Sequence, residues 1–211
     1  MIDAATDWVE TFTGGRLDLP MPQRGQVNIL DIAHALSLQC RFNGHCREFY
    51  SVAQHSVLVQ RYLAMEGYVP RIQMMGLLHD AAEAYVGDMV RPVKSVFPNF
   101  KQVEGMVQDA IEAQLIGPVP PDFNLHFVRF HVKQADEVAL ATGGRDWTLT
   151  EEPEAGLFDG CWPCDVARKR YLGTYYRLAR EIGIPVEPKP VENAVPGDAP
   201  SNVRFIPRNS A

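Results

Sequence analysis

The 211-residue sequence contains only four cysteines, and none of its apolar segments approaches the length of a membrane span. Four cysteines are too few for the disulfide framework of a small secreted domain, so we do not expect the fold to depend on disulfides. The N-terminal segment is acidic and lacks the cationic start and apolar stretch of a secretory signal. We therefore expect a cytoplasmic protein with no membrane partner.

An excess of basic residues is also lacking, because 20 lysines and arginines are outnumbered by 26 aspartates and glutamates and the formal net charge is −6. Duplex binding requires a basic surface, so we expect no polymeric nucleic acid as a partner. The net charge is compatible with a small anionic ligand, because a few cations and a metal ion can reverse the potential inside one cleft. The apolar and charged fractions, 46% and 22%, are those of an ordinary globular domain.

Strand patterns and internal repeats are missing from the sequence, whereas apolar residues recur at helical spacing in several segments. This periodicity predicts helices over about 28–41, 51–67, 70–87, 99–116, 126–142 and 165–182. Helices of this number and length favour an all-α bundle with irregular packing.

The ends of the chain differ from this helical centre. Residues 1–27 are polar and rich in glycine and proline, which predicts a wrapped N-terminal arm without regular elements. Residues 28–184 form the predicted domain. Residues 185–211 contain six prolines, which exclude a continuous helix and predict a flexible C-terminal tail. The C-x-x-C spacing of Cys161 and Cys164 occurs once and outside a thioredoxin-like pattern, so it does not predict a zinc or redox role.

The predicted helix 70–87 contains His79 next to Asp80, and Glu83 follows four residues after His79. Apolar neighbours bury this segment, and buried His, Asp and Glu side chains are unfavourable unless they are paired or bind a metal. His55 and Asp136 are residues of the same ligand types on two other predicted helices. Facing helices of a bundle combine such side chains into metal sites, so these residues predict one.

Two imidazoles and two carboxylates suit a divalent transition metal better than calcium and leave positions for water and substrate. The sequence leaves the ion open among zinc, cobalt, manganese, iron and magnesium. Such a site activates water. Glu83 shares a helical face with His79 if the helix is continuous, and it would then stand just outside the ligands, near the water or the leaving group. A hydrogen-bonded pair of His79 and Asp80 in the core is the alternative.

Three segments in order resemble the successive motifs of the HD-domain phosphohydrolases. These segments are SVAQHS at Ser51–Ser56, LLHDAAEAYVGD at Leu77–Asp88 and VKQAD at Val132–Asp136. The resemblance covers about residues 28–142 and is clearest for the bacterial deoxynucleoside 5′-monophosphatases (YfbR-like) and the phage deoxynucleoside triphosphate hydrolases. It implies an HD-domain bundle that hydrolyses free nucleotides, most often deoxynucleotides.

The resemblance also implies a role for each residue of the motifs. It makes Glu83 the catalytic carboxylate and Asp88 a second acid, suited to protonating the leaving oxygen or holding the sugar. The metal ligands that it implies are His55, His79, Asp80 and Asp136.

On the substrate side, the resemblance implies that Arg41 grips the phosphate and that Phe42 faces the base. The family's Pro-x-Lys element corresponds to Pro92 and Lys94, whose ammonium can bind phosphate. His45 lies in a glycine-flanked loop beside Arg41 and is a further candidate for a phosphate contact.

The sequence leaves open whether the substrate is a deoxynucleoside monophosphate or a triphosphate. Extra cations at His45, Arg47 and Arg91 would favour the triphosphate if they face the cleft. A nucleotide-sensing module without turnover is one alternative, although no ligand or catalytic acid is missing. A cyclic-nucleotide or alarmone hydrolase of the wider superfamily is another. We expect a homo-oligomer because the resembled families form them.

Overall fold

The structure is a computed structural model that describes residues 7–121, 123–142 and 157–185. Within these ranges the chain forms eight α-helices and one two-stranded sheet, which confirms the predicted all-α class. The predicted tail lies outside the described residues except for Pro185. None of the helices in the described ranges is both long enough and apolar enough to cross a membrane. The helices are α1 Ile29–Leu38, α2 Val52–Met65, α3 Pro70–Leu77, α4 Glu83–Val86, α5 Arg91–Lys94, α6 Pro98–Leu115, α7 Leu125–Thr142 and α8 Cys164–Glu181.

Helix α2 is the centre of the bundle and packs against α3, α7 and α8. Every residue from Val52 to Gln60 is buried, so this helix has no solvent-facing stripe over its first two turns. The hydroxyl of Ser51 accepts a hydrogen bond of 3.1 Å from the backbone N–H of Gln54, which caps the helix. Because His55 follows in the first turn, the helix carries an imidazole into the interior.

The predicted helix 70–87 is interrupted, which corrects the sequence prediction. Helix α3 ends at Leu77, and residues 78–82 form turns before α4 begins. In these turns the backbone N–H of Glu83 bonds to the carbonyl of Asp80, three residues earlier. Bonds of this 3₁₀ type turn the chain by about 120° per residue instead of 100°. The argument that placed His79 and Glu83 on one α-helical face is therefore wrong.

The N-terminal arm contains regular structure, contrary to the sequence prediction. Strands β1 Trp8–Glu10 and β2 Arg16–Asp18 pair in antiparallel register. Gly14 has a φ of 80° in the connection, so a glycine that suggested irregular chain forms the turn of a hairpin. The connection is fixed to α1, because Asp31 accepts a hydrogen bond of 2.7 Å from the backbone N–H of Thr13.

Helix α1 ends at Leu38, earlier than predicted, and the following chain forms an isolated antiparallel bridge between Cys40 and Ser51. The backbone N–H of Arg41 bonds to the carbonyl of Tyr50 at 2.9 Å. We call Cys40–Cys46 the 40–46 loop. Within it Phe42 and Asn43 have φ values of 57° and 52°, a conformation that non-glycine residues rarely adopt.

Candidate metal centre and adjoining cavity

Four side chains from α2, the turn after α3 and α7 converge in the interior. One ligand atom from each of His55, His79, Asp80 and Asp136 lies within 4.8 Å of the other three. Nε2 of His55 is 2.9 Å from Oδ1 of Asp136, and Nε2 of His79 is 3.1 Å from Oδ2 of Asp80. Two ligand atoms that each lie about 2.1 Å from one ion are themselves about 3 Å apart. The group therefore has the composition and the dimensions to hold a metal ion.

The hydrogen bond of His79 supports this fit. Its Nδ1 lies 2.9 Å from the carbonyl oxygen of Gly76, so Nδ1 carries the proton and donates it. Nε2 is buried and has no hydrogen-bond partner, although a carboxylate oxygen of Asp80 is 3.1 Å away. A lone pair that faces a carboxylate is unfavourable unless a positive charge lies between them. A ligating histidine typically has this second hydrogen bond to a backbone carbonyl.

The pKa values of the two histidines indicate that the carboxylates of Asp80 and Asp136 favour a positive charge between the ligand atoms. Burial lowers the pKa of His55 to about 4, so its imidazole is neutral at pH 7, the form that binds metals. Burial acts to lower the pKa of His79 as well, but the charges of Asp80 and Asp136 outweigh it and raise that pKa to about 10. A proton on His79 or a divalent cation would satisfy these carboxylates.

A cavity of about 360 Å³ opens beside the cluster, with Asp80 and Asp136 on its wall. His55 and His79 are not among its wall residues. The wall contains every other residue that the sequence predicted for the site: Arg41, Phe42, His45, Glu83, Asp88, Pro92 and Lys94. The volume is near the lower end of the range of small-molecule pockets, about 300–1,000 Å³.

The cavity wall also contains residues that were not predicted for the site. Arg91 lines it, whereas Arg47, the other arginine considered as an extra cation, does not. Leu140 lies one helical turn after Asp136, so helical spacing could have identified it. Met89 and Val90 follow Asp88 in a segment without regular structure, where no periodicity indicates which way a side chain points.

Each of the two aspartates also contacts an arginine. Nη1 of Arg41 lies 3.2 Å from Oδ2 of Asp80, and Nη2 of Arg91 lies 3.0 Å from Oδ2 of Asp136. Arg41 is buried, with 8% of its surface exposed. Its guanidinium carbon is 5.5 Å from the centre of the Phe42 ring, which is a cation–π distance. A buried guanidinium therefore lines the cavity and contacts one of the candidate ligands.

The carboxyl group of Glu83 and the ammonium group of Lys94 form a second polar contact on the wall. Nζ of Lys94 is 3.3 Å from Oε1 of Glu83 and 2.6 Å from Oε1 of Glu104. Glu83 is 4% exposed, and its Oε2 is buried without a hydrogen-bond partner. Burial, and next the charges of Asp80 and Asp88, raise the pKa of Glu83 to about 9, which Lys94 only partly offsets. This environment therefore favours the protonated form of Glu83 near neutral pH.

Comparison with known proteins agrees with the motifs. The family model described as 5′-deoxynucleotidase YfbR-like matches residues 41–142, a span that contains the four candidate ligands. The chain is 36% identical to Uncharacterized protein YfdR of Escherichia coli (strain K12) over 157 residues, 74% of this chain and 77% of YfdR.

Two other relatives match shorter segments. An uncharacterized protein of Rhodobacter capsulatus is 42% identical over 92 residues, 42% of this chain and 47% of that protein. The 5′-deoxynucleotidase PM0747 of Pasteurella multocida is 27% identical over 78 residues, 36% of this chain and 40% of that protein. The match to YfdR over most of both chains, together with the family match, shows that this chain belongs to the YfbR-like family of HD-domain nucleotide phosphohydrolases.

Proposed function

We propose that the protein is a metal-dependent phosphohydrolase that releases phosphate from deoxynucleoside 5′-monophosphates. The observation that carries this proposal is one cavity whose wall combines the two aspartates of the His/Asp group with three cations and two further acids. The names of the matched family and of PM0747, both described as 5′-deoxynucleotidases, support the same class of substrate.

In this proposal His55, His79, Asp80 and Asp136 hold a divalent ion, which is zinc, cobalt, manganese or magnesium. When bound, such an ion supplies Lewis acidity, which lowers the pKa of water and polarises a phosphoryl oxygen. The carbonyl of Gly76 fixes the tautomer of His79, and the first turn of α2 fixes the position of His55. The chain thus orients both imidazoles before an ion arrives.

Arg41 and Lys94 bind the phosphate. The guanidinium of Arg41 contacts Asp80 from the cavity wall, and the ammonium of Lys94 contacts Glu83 on the same wall. A phosphoryl group beside Asp80 therefore meets both cations. Their charges offset the negative charge on the equatorial oxygens, and the planar fork of Arg41 can bind two of those oxygens together.

Glu83 and Asp88 move protons. They are the acids that line the cavity in addition to the two candidate ligands. Glu83 carries a proton at neutral pH and can donate it to the leaving oxygen of the sugar, while Asp88 holds the sugar or shares this role. Proton transfer by a positioned group contributes about 10²- to 10⁴-fold to a rate. Phe42 and His45, on the same wall, are available to the base and the phosphate.

A deoxynucleoside triphosphate is the second candidate substrate. His45 and Arg91 both line the cavity, so its wall presents three permanent cations and one imidazole. Arg41, Arg91 and Lys94 already contact the carboxylates of Asp80, Asp136 and Glu104, however, which reduces the positive charge left for a longer phosphate chain. The modest cavity volume also favours the monophosphate. The homo-oligomer and the cytoplasmic location stay predictions.

A product panel tests the proposal. Protein stripped of metal with a chelator is reloaded with manganese, cobalt, zinc or magnesium and incubated with deoxy- and ribonucleoside mono- and triphosphates, cyclic nucleotides and an alarmone. Phosphate, pyrophosphate and triphosphate are then resolved. We expect phosphate from deoxynucleoside monophosphates. Triphosphate release would favour the second candidate, and nucleotide binding without any product would favour a sensing module.

A further inference from the structure

Two thiols close the 40–46 loop. Sγ of Cys40 and Sγ of Cys46 lie 3.4 Å apart, and both cysteines are free and partly exposed. The sulfur atoms of a disulfide are about 2.0 Å apart, so small side-chain rotations would bring this pair to bonding distance. The partial exposure of both residues is compatible with attack by a small reagent.

We propose that Cys40 and Cys46 form a reversible disulfide by exchange with a small-molecule disulfide, and that this bond tightens the binding of the nucleotide. The thiolate of one cysteine attacks the small disulfide, which forms a mixed disulfide and releases one small thiol. The thiolate of the other cysteine then attacks the protein sulfur of that mixed disulfide and releases the second small thiol. Two protein thiols are oxidised, and one small disulfide is reduced to two thiols that take up the two protons.

The position of the loop gives this bond a consequence for the cavity. Arg41, Phe42 and His45, all between the two cysteines, line the wall. Phe42, Asn43 and Gly44 are three successive residues with positive φ, and the first two are not glycine. A chain that relaxed from this conformation would move the wall residues. Because the sulfurs already meet in the present conformation, the disulfide would hold the loop in the arrangement that lines the cavity.

The surroundings of the pair favour covalent chemistry over metal binding. Among the residues with described positions, the one group of three or more His, Cys, Asp or Glu side chains at metal-ligand separations contains no cysteine. Cys161 lies near the pair, and burial together with Glu48, Cys46 and Cys40 raises its pKa to about 11, which keeps this third thiol protonated. Burial and the contact with Cys40 raise the pKa of Cys46, so mildly alkaline solution should accelerate the exchange.

The formation of the bond can be tested on the full chain without any assay of activity. The protein is incubated with a series of ratios of oxidised to reduced glutathione at about pH 8.5, the ordinary thiol pKa, and digested with trypsin without reduction. Trypsin cuts after Arg41, so a Cys40–Cys46 bond would link the peptide 25–41 to the peptide 42–47. We expect this linked pair in the native protein and in Cys164→Ser, and not in Cys46→Ser or Cys40→Ser. A glutathione adduct alone, or a link from either cysteine to Cys161, would overturn the proposal.

Two measurements test the effect of the bond, one on the loop and one on nucleotide binding. Amide hydrogen exchange across residues 41–50 should slow on oxidation, recover on reduction and not respond in Cys46→Ser. The effect on binding rests on the proposed function: oxidation should lower KM for the deoxynucleotide about threefold with little change in kcat, as expected for a preorganised loop. If amide hydrogen exchange in the loop or KM were unchanged in the linked protein, the proposal that the disulfide tightens nucleotide binding would be contradicted. If the protein hydrolyses no nucleotide, the proposed function fails, while the linked peptides and the exchange rates still decide whether the bond forms and tightens the loop.

Discussion

Nε2 of His55 and Oδ1 of Asp136 lie 2.9 Å apart, although 81 residues separate them in the sequence. Their helices, α2 and α7, pack directly against each other, so the contact depends on the tertiary fold. The second carboxylate oxygen of Asp136 contacts Arg91 at 3.0 Å. Asp136 therefore connects the buried end of the candidate metal centre to the exposed rim of the cavity.

We expect Asp136→Ala to abolish metal binding, because the variant removes one of the two carboxylates that balance the ion's charge. The bound metal is measured by elemental analysis after dialysis. Native protein should also gain about 2.7 kcal/mol in unfolding free energy when free metal is 100 times its Kd, and the variant should gain none. Asp109→Ala, at an exposed position of α6, is the control and should retain the metal. Full metal content in Asp136→Ala would exclude this residue as a ligand.

Glu83→Gln should lower kcat by about 10²- to 10⁴-fold while metal content stays unchanged, because the amide keeps the shape of the side chain and cannot transfer a proton. The measurement is the release of phosphate at saturating substrate, with metal content determined on the same samples. Glu181→Gln, at the end of α8 and away from the cavity wall, serves as the control. Wild-type turnover in Glu83→Gln would show that this carboxyl group takes no part in the reaction.

The structure brings the residues of the motifs together around one cavity, whereas periodicity mispredicted part of the backbone that carries them. Apolar residues at Leu77, Leu78, Ala81 and Ala82 are compatible with a continuous helix, and nothing in their spacing indicates that the helix ends at Leu77. In the turn that follows, Nδ1 of His79 donates a hydrogen bond to the carbonyl of Gly76. Such a contact becomes visible only in three dimensions.

Sequence patterns also failed to predict the 40–46 loop and the apolar residues of the cavity wall. Arg41 was expected at the end of a helix, but its backbone N–H bonds to the carbonyl of Tyr50 beside an isolated bridge, and this backbone pairing overrides local helix propensity. The motifs carry residue types that are uncommon in a core, which is why they stand out. Apolar wall residues such as Met89 and Leu140 are indistinguishable by type from core residues.

Arg41→Lys should raise KM about tenfold or more with a smaller change in kcat. Lysine keeps the charge but loses the planar fork that binds two phosphate oxygens, and a lost hydrogen bond to a charged group costs about 1.5–3 kcal/mol. Initial rates over a range of deoxynucleotide concentrations give both constants. Arg129→Lys, at an exposed position of α7, is the matched control. An unchanged KM in Arg41→Lys would remove Arg41 from the phosphate site.

Asp159 should stabilise the start of α8 in a pH-dependent way. Its carboxylate accepts hydrogen bonds from the Trp162 indole at 2.6 Å and from Arg170 at 3.0 Å. Partial burial acts to raise the pKa of Asp159, but these two hydrogen bonds outweigh it and hold the pKa below its ordinary value. The folded state therefore binds this proton less readily than the unfolded chain, so the stabilisation is present above the unfolded pKa of about 3.9 and is lost as the pH falls through the folded pKa.

Accordingly, Asp159→Asn should lower Tm at pH 6, and the difference from native protein should shrink as the pH falls to about 3, below the unfolded pKa. Thermal unfolding followed by circular dichroism across this range measures it. Asp109→Asn, at the exposed position on α6, should show a smaller change. If the Tm difference between Asp159→Asn and native protein stayed constant or grew toward low pH, the charged carboxylate of Asp159 would not be what stabilises the fold.

Gly76→Ala should destabilise the fold and weaken metal binding together. A Cβ at position 76 would overlap Cδ1 of Leu63, which is fully buried on α2, and overpacking a core typically costs about 1–3 kcal/mol. Any backbone shift at Gly76 moves the carbonyl that orients His79, and loss of such an orienting contact typically lowers metal affinity about 10- to 100-fold.

Two further variants separate these effects. Leu63→Val removes Cδ1 and thus the overlap. The double variant should therefore lose less unfolding free energy than the sum of the two single losses, by at least about 0.5 kcal/mol. Gly105→Ala, in the interior of α6 where an added Cβ meets nothing within 4 Å, should instead stabilise the protein by about 0.4–1 kcal/mol. Denaturant unfolding gives the unfolding free energy of each variant, and metal titration gives its metal affinity. If Gly76→Ala were as stable as native protein and bound metal equally well, the close approach of α3 to α2 would not be what positions His79.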